Sequence, residues 1–412
     1  MTSGMLTRLS MLFAVSAMTT LAVLWIFAPT DDGPRVTAKG DFIGIPLGNG
    51  TFELHAGVQA PQDLPVSPKG DFLGWFPDTG NLELQFRLTE TRTETPLRFP
   101  KPEFDRPVVR DIPRATTRLV ALASAPFPYT GRMPRSNRPF LNVVDGKRRA
   151  HKTRSGRTYW ADETYSDRRT LLHIPKGFDI KAPGVIVLFF HGHGATLQRD
   201  VFKRQRLPQQ VTESGMNAVL VAPQFALDAR DSSAGKFWEK GGVRRFLDEA
   251  AQQLAKEHGT PGAAKAFAKM PVVMVAYSGG FVPAASTVTR GGIGSRLKGV
   301  VLLDGLYGRL DQFANWMERD RSAFFINAYA GASPTRNSAR LMAMLKERGI
   351  RYSTRLDPQL KRGSVTFLAA KKRHRHYVTN AWVRHPVSDV LRRLGRITGQ
   401  TPQYLSKVIT SQ

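Results

Sequence analysis

The chain has 412 residues, 41% hydrophobic and 23% charged, enough for one large domain and a smaller one. It contains no cysteine, which excludes disulfides and cysteine–zinc sites and leaves the redox compartment open. Lys and Arg number 60 against 33 Asp and Glu, a net charge of +27 spread along the whole chain, so anionic surfaces and polymers are expected to attract it.

Met11–Ala28 is an uncharged apolar run of 18 residues, just long enough to span a bilayer, and Arg8 precedes it while Asp31 and Asp32 follow. Bulky residues continue up to Ala28, with no small-x-small cleavage site. Residues 1–30 therefore read as an uncleaved signal anchor, with a cleaved signal peptide as the alternative. The charge bias leaves the N-terminus in the cytoplasm and the rest outside, anchored at the inner membrane with a periplasmic domain in a bacterial-type cell. Cleavage would instead give a soluble periplasmic or secreted protein.

Residues 31–150 are rich in Pro, Gly and Thr, with strand-like alternation at Gly50–His55 and Asn81–Leu88, and read as a β-rich region. Lys39-Gly40-Asp41-Phe42-Ile43-Gly44 recurs 30 positions later as Lys69-Gly70-Asp71-Phe72-Leu73-Gly74, the mark of two related hairpins. Thr95–Arg138, rich in Pro and Arg, reads as a linker or wrapping arm.

Residues 151–412 alternate short continuous apolar strands with amphipathic helices, which predicts a mostly parallel α/β sheet with helices on both faces. Thr170–Ile174 is the first strand. Val185–Phe190 leads into His191-Gly192-His193-Gly194. A helix follows over about 197–214, kinked at Pro208, then a strand at Ala218–Ala222. The stretch Gln224–Trp238 either lines the pocket or is a surface loop. Gly242–His258 is a helix stopped by Gly259. Val272–Val275 runs into Ala276-Tyr277-Ser278-Gly279-Gly280, a G-x-S-x-G pattern with Ala276 in the first glycine position, and Phe281–Thr289 is the helix behind it. The strand Val300–Leu303 ends at Asp304. Further elements are a helix at Leu310–Arg319, a strand at Ala323–Tyr329, a helix at Arg336–Arg348, a strand at Val365–Ala370 leading to His374 and His376, and a last helix at Val387–Leu394. Right-handed crossovers bring these strand ends to one rim.

The order Ser, Asp, His, each at a strand end, resembles the α/β-hydrolase superfamily over residues 150–400, about 250 of the 412. The resemblance implies a serine hydrolase acting on an ester, with an amide as the alternative bond, through a Ser-His-Asp triad and a covalent acyl-enzyme. Ser278 is then the nucleophile and Asp304 the orienting acid. Most members carry the acid after the next strand, but AGASPTRNSAR, which follows Tyr329, has none. His376, followed by Tyr377-Val378, is favoured as the base, with His374 as the alternative. The backbone N–H groups of His193 and Gly279 become the oxyanion donors, and His191, Gly192 and Gly194 shape the loop.

Two His-x-His pairs raise the question of zinc, but no carboxylate stands at ligand spacing beside either, so no metal or cofactor is expected. Aromatics do not interleave with the basic runs, which argues against nucleic acid. The expected substrate is a small-molecule, lipid or envelope ester. The alternative function is a membrane-anchored basic protein that binds an anionic envelope polymer through a non-catalytic hydrolase fold.

Overall fold

The computed structural model describes residues 42–46, 52–56 and 115–398. The chain divides into two compact units, Met1–Asp105 and Arg106–Gln412. In the first, β1 (Phe42–Pro46) and β2 (Phe52–Ala56) form an antiparallel pair in which Phe42 faces Ala56. The second copy of the repeat, the strand expected at Asn81–Leu88 and the apolar run of residues 11–28 lie outside the described residues. Among the described residues no helix is long and apolar enough to cross a membrane.

The second unit is built on one eight-stranded sheet. Its strands are β3 (Thr116–Ala121), β7 (Arg169–Ile174), β8 (Val185–Phe190), β9 (Ala218–Pro223), β10 (Val272–Tyr277), β11 (Leu297–Leu303), β12 (Phe324–Tyr329) and β13 (Val365–Ala369). Their spatial order is β13-β12-β11-β10-β8-β9-β7-β3. From β9 to β13 every pairing is parallel, while β7 pairs antiparallel with both β9 and β3.

The continuous apolar runs arise because both faces are covered. In β8 the side chains of Ile186, Leu188 and Phe190 enter one hydrophobic cluster, and those of Val185, Val187 and Phe189 enter a second. The helix Gly242–His258 buries Val243, Phe246, Leu247, Ala250 and Leu254 against the first cluster and stops where Gly259 takes φ 76°. The helix Pro386–Arg392 supplies Val387, Val390 and Leu391 to the second.

Two expectations are corrected. The single kinked helix over 197–214 is two segments, a π-helix at Leu197–Arg204 and an α-helix at Leu207–Glu213, broken where Arg206 adopts φ 53°. Pro208 does not kink a helix interior. It sits in the first turn, where its missing N–H has no intrahelical acceptor in any case.

The second correction concerns the linker. Part of Thr95–Arg138 belongs to the folded unit: β3 is the edge of the main sheet, and Leu122, Ala125, Phe127 and Tyr129 are buried in the first hydrophobic cluster, as is Phe140 just beyond. Phe127, Phe140 and Tyr165 pack as an aromatic trio with ring centroids 4.9–5.6 Å apart. The folded unit thus begins upstream of residue 151. A small antiparallel sheet, β4 (Val143–Asp145), β5 (Arg148–Lys152) and β6 (Thr158–Trp160), follows β3 in the chain, its strands only three to five residues long.

Candidate active site

Parallel pairing brings the carboxyl ends of β8, β10, β11 and β13 to one edge of the sheet. There β10 delivers Ser278, β11 delivers Asp304, and the loop after β13 delivers His374. Ser278 sits at φ 51° and opens a 3-10 turn, Ser278–Gly280, between strand and helix. The neighbouring positions must be small for steric reasons. A Cβ on Gly280 would stand 2.5 Å from the Phe190 carbonyl oxygen, and one on Gly192 would stand 2.7 Å from Ser278 Cβ. Such distances are closer than packed atoms come, so the G-x-S-x-G pattern reflects crowding as well as backbone freedom.

His374 bridges the other two side chains. Its Nδ1 lies 2.6 Å from Asp304 Oδ2 and its Nε2 lies 2.8 Å from Ser278 Oγ. An ionised carboxylate only accepts hydrogen bonds, so Nδ1 carries the proton and Nε2 is left to accept from the serine hydroxyl. Asp304 is 3% exposed and Ser278 8%, whereas the His374 side chain is 43% exposed and open to substrate.

The acid is held from the next strand. Asp304 N–H donates to Ala328 O at 2.7 Å, and Asp304 Oδ1 accepts from Ala330 N–H at 2.9 Å. A carboxylate at the end of β11 thereby reaches His374 although β12 ends without an acid. The imidazole is fixed from below by Tyr277, whose ring stacks on it with centroids 5.0 Å apart and whose hydroxyl donates to His374 O at 3.1 Å. Burial pushes the Tyr277 hydroxyl up to about 12, so it stays protonated and can donate. Tyr307 meets His374 edge-on at 6.2 Å.

The favoured base, His376, is not at the serine. Residues 374–376 form a 3-10 turn, in which positions two apart point in different directions, so only one imidazole can face Ser278. His374 takes that place, and His376 Nε2 instead accepts from Arg375 Nε at 3.0 Å. His385, which precedes Pro386, has its Nδ1 2.5 Å from Glu213 Oε2.

The loop after β8 is pinned through His191. Its Nδ1–H donates to Gly192 O at 2.8 Å, and its Nε2 accepts from Phe225 N–H at 2.9 Å and from the Gln224 amide at 3.0 Å. Burial holds its pKa down to about 4, so the ring is neutral and structural. Gly194 takes φ 64° and donates its N–H to Ala229 O at 2.8 Å. The His193 N–H has no protein acceptor among the described residues. Gly279 lies in the first turn of a 3-10 segment, where N–H groups have no intrahelical partner. The two positions are adjacent, since a Cβ on Gly279 would touch the His193 ring at 2.5 Å.

Three features had no motif to announce them. His193 Nε2 lies 2.6 Å from Ser232 Oγ. The stretch Gln224–Trp238 walls a narrow cleft, with Phe225, Asp231 and Ser232 facing Gly192 and Gly279. That wall is tied to the supposed linker, since Lys236 N–H donates to Pro126 O at 2.9 Å, and to Tyr165, whose Oη–H donates to Asp231 Oδ2 at 3.0 Å. Among the described residues no group of three or more His, Asp or Glu side chains converges as a metal site would require.

No family model and no curated protein matches the chain. Several solved structures are similar to it. One is a feruloyl esterase module from Clostridium thermocellum in complex with sinapinate, 16% identical, covering 65% of this chain and 96% of that one with a TM-score of 0.37. Another is an S-formylglutathione hydrolase from Agrobacterium tumefaciens, 10% identical, covering 61% and 98% with a TM-score of 0.36. A third is an IroE-like serine hydrolase from Shewanella oneidensis, 13% identical, covering 60% and 78% with a TM-score of 0.35.

Proposed function

We propose that this protein is a serine hydrolase of the α/β-hydrolase fold that cleaves carboxylic esters. The observation that carries the reading is the single imidazole that bonds Asp304 through Nδ1 and Ser278 through Nε2. A serine hydroxyl is a poor nucleophile until a base takes its proton, and an imidazole is an effective base only when its tautomer is fixed. Both conditions are met by these three residues.

In the proposed reaction Ser278 Oγ attacks the ester carbonyl carbon while His374 Nε2 takes the hydroxyl proton. The tetrahedral oxyanion is held by the N–H groups of His193 and Gly279, and one such donor is commonly worth about 3 kcal/mol of barrier. Collapse expels the alcohol, to which His374 returns the proton, and leaves an acyl-Ser278 ester. Water, deprotonated by His374, then attacks the acyl carbonyl, and as the bond to Ser278 Oγ breaks His374 returns the proton to Oγ and the acid is released. Asp304 stays ionised throughout and stabilises the imidazolium.

The test is hydrolysis of 4-nitrophenyl esters of graded acyl length by the wild type and by Ser278→Ala. Turnover by the wild type with a loss of more than about 10³-fold in the variant supports the reading, and equal rates refute it. The apolar run at residues 11–28 further supports an anchored protein with its hydrolase unit outside the cytoplasm. Cell fractionation tests that location, since recovery in a soluble fraction contradicts the anchor.

A further inference from the structure

We infer that the substrate is an anionic ester, one that carries a carboxylate, phosphate or sulfate beside the scissile bond; the inference rests on the hydrolase reading above. It starts from where the base sits. His374 lies within Lys371-Lys372-Arg373-His374-Arg375, and all four flanking cations are exposed. None of the four has a carboxylate partner among the described residues.

A run of exposed cations is ordinarily a solvated surface held in no fixed place. This one is fixed against the site. Its backbone is closed by a turn in which His376 N–H donates to Arg373 O at 2.9 Å and Tyr377 N–H donates to His374 O at 3.2 Å. Arg204 Nη1 reaches Arg375 O at 3.4 Å and Tyr377 Oη–H bonds Ala370 O at 2.6 Å. The backbone that carries four positive charges is thereby fixed within three residues of the imidazole that touches Ser278. Asp304, bonded to the imidazole within the run, is already engaged by it and by Ala330 N–H, and Asp200 is engaged by Arg199 and Arg204.

A further cation follows in the chain after Tyr307, a residue that touches the imidazole. Tyr307, 40% exposed, meets His374 edge-on, and two residues later Arg309 takes φ 63°. Arg309 is half-buried, and its guanidinium has no hydrogen bond or ion pair among the described residues. Burial, with the charges of Arg135 and Arg154 adding to it, pushes its pKa down, which marks a place where positive charge gathers without compensation. A half-buried guanidinium left unpaired is suited to complete its pairing with an anion from outside. Clefts lined by one sign of charge raise the capture rate of the opposite charge by about 10–10³-fold, an effect that salt weakens.

The experiment compares kcat/KM for neutral 4-nitrophenyl acetate with that for two anionic esters. Mono(4-nitrophenyl) adipate carries its charge on the acyl part, and 4-acetoxybenzenesulfonate carries it on the leaving alcohol. Two variants of the full chain remove the same charge. One is Lys371→Gln/Lys372→Gln/Arg373→Gln/Arg375→Gln. The other is Lys256→Gln/Lys265→Gln/Lys269→Gln/Lys298→Gln, whose lysines lie before and around the amino ends of β10 and β11, at the far edge of the sheet. The inference predicts that for at least one anionic ester the first variant lowers kcat/KM, relative to the neutral ester, by about tenfold or more. The second variant leaves that ratio within about twofold. Raising NaCl from 20 to 300 mM should likewise depress the wild-type rate on that anionic ester several-fold more than on the acetate. Equal losses from the two variants, or a flat salt response with both anionic esters, overturn the inference while the hydrolase reading stands. If the wild type turns over none of the three esters and remains unlabelled by a fluorophosphonate, the hydrolase reading itself falls. Arg309→Gln provides a single-site check, expected to raise KM for the same anionic ester while kcat is held.

Discussion

Ser278 and Asp304 both occupy the left-handed region, at φ 51° and φ 44°, where a residue with a Cβ pays roughly 1–2 kcal/mol. The two strained positions face each other across His374, and the packing around them leaves no room to relax. Gly192→Ala tests that directly. The added methyl would stand 2.7 Å from Ser278 Cβ and 3.2 Å from Tyr277 Cδ1, so Ser278 must shift. We expect kcat to fall about 100-fold with the thermal unfolding midpoint little changed, because small displacements of a nucleophile cost that much. A rate within twofold of wild type would mean that the serine is not held where the glycine meets it. Asp304→Asn preserves the shape but removes the charge that fixes the tautomer, and kcat should fall by about 10³–10⁴-fold.

At the scale of elements, segment 122–140 gives the core five side chains, Leu122, Ala125, Phe127, Tyr129 and Phe140. Phe140 is fully buried, stacks on the His151 ring at 4.4 Å, and accepts a hydrogen bond from His151 Nδ1 at its carbonyl, 2.7 Å away. Phe140→Ala should cost about 3–5 kcal/mol in urea unfolding, and an unchanged urea midpoint would contradict its place in the core. Two buried histidines add a pH dependence. His173, held between Thr117 and Thr212 at 2.8 Å each, and His191 both have their pKa pushed to about 4 by burial. In the unfolded chain each protonates near pH 6.5. The unfolded state therefore binds more protons between those values, and stability falls as pH drops from about 6.5 towards 4, by at most about 3 kcal/mol per residue. A urea midpoint unchanged between pH 7.5 and 4.5 would contradict this. The continuous strands β8, β10 and β11 and the helix Gly242–His258 were legible in the sequence because burial on both faces and a glycine stop leave plain patterns. So were Ser278 and Asp304, as residues at the ends of such strands. The choice between His374 and His376 was not, since it depends on the rotation of a three-residue turn that no periodicity records. Nor was β3, whose short run Thr116–Ala121 carries one charge, Arg118, and lies in Pro- and Arg-rich surroundings that look like an arm until its partner β7 is known.

At the scale of the whole chain, the sheet, the candidate triad and the wall of the cleft all lie within Arg106–Gln412. A chain of residues 106–412 should hydrolyse 4-nitrophenyl acetate within about threefold of the full-length rate. A chain of residues 151–412, which lacks β3 and the buried Phe127 and Phe140, should fail to fold, because exposing that much of the core exceeds the few kcal/mol of net stability a domain has. An active 151–412 fragment would show that the aromatic trio is dispensable. The most direct test of the account is to label the protein with a fluorophosphonate and map the adduct by peptide mass spectrometry. We predict a single adduct on Ser278, present in the wild type and in His376→Ala and lost in His374→Ala. An adduct on another residue, or labelling that survives His374→Ala and vanishes in His376→Ala, would contradict it.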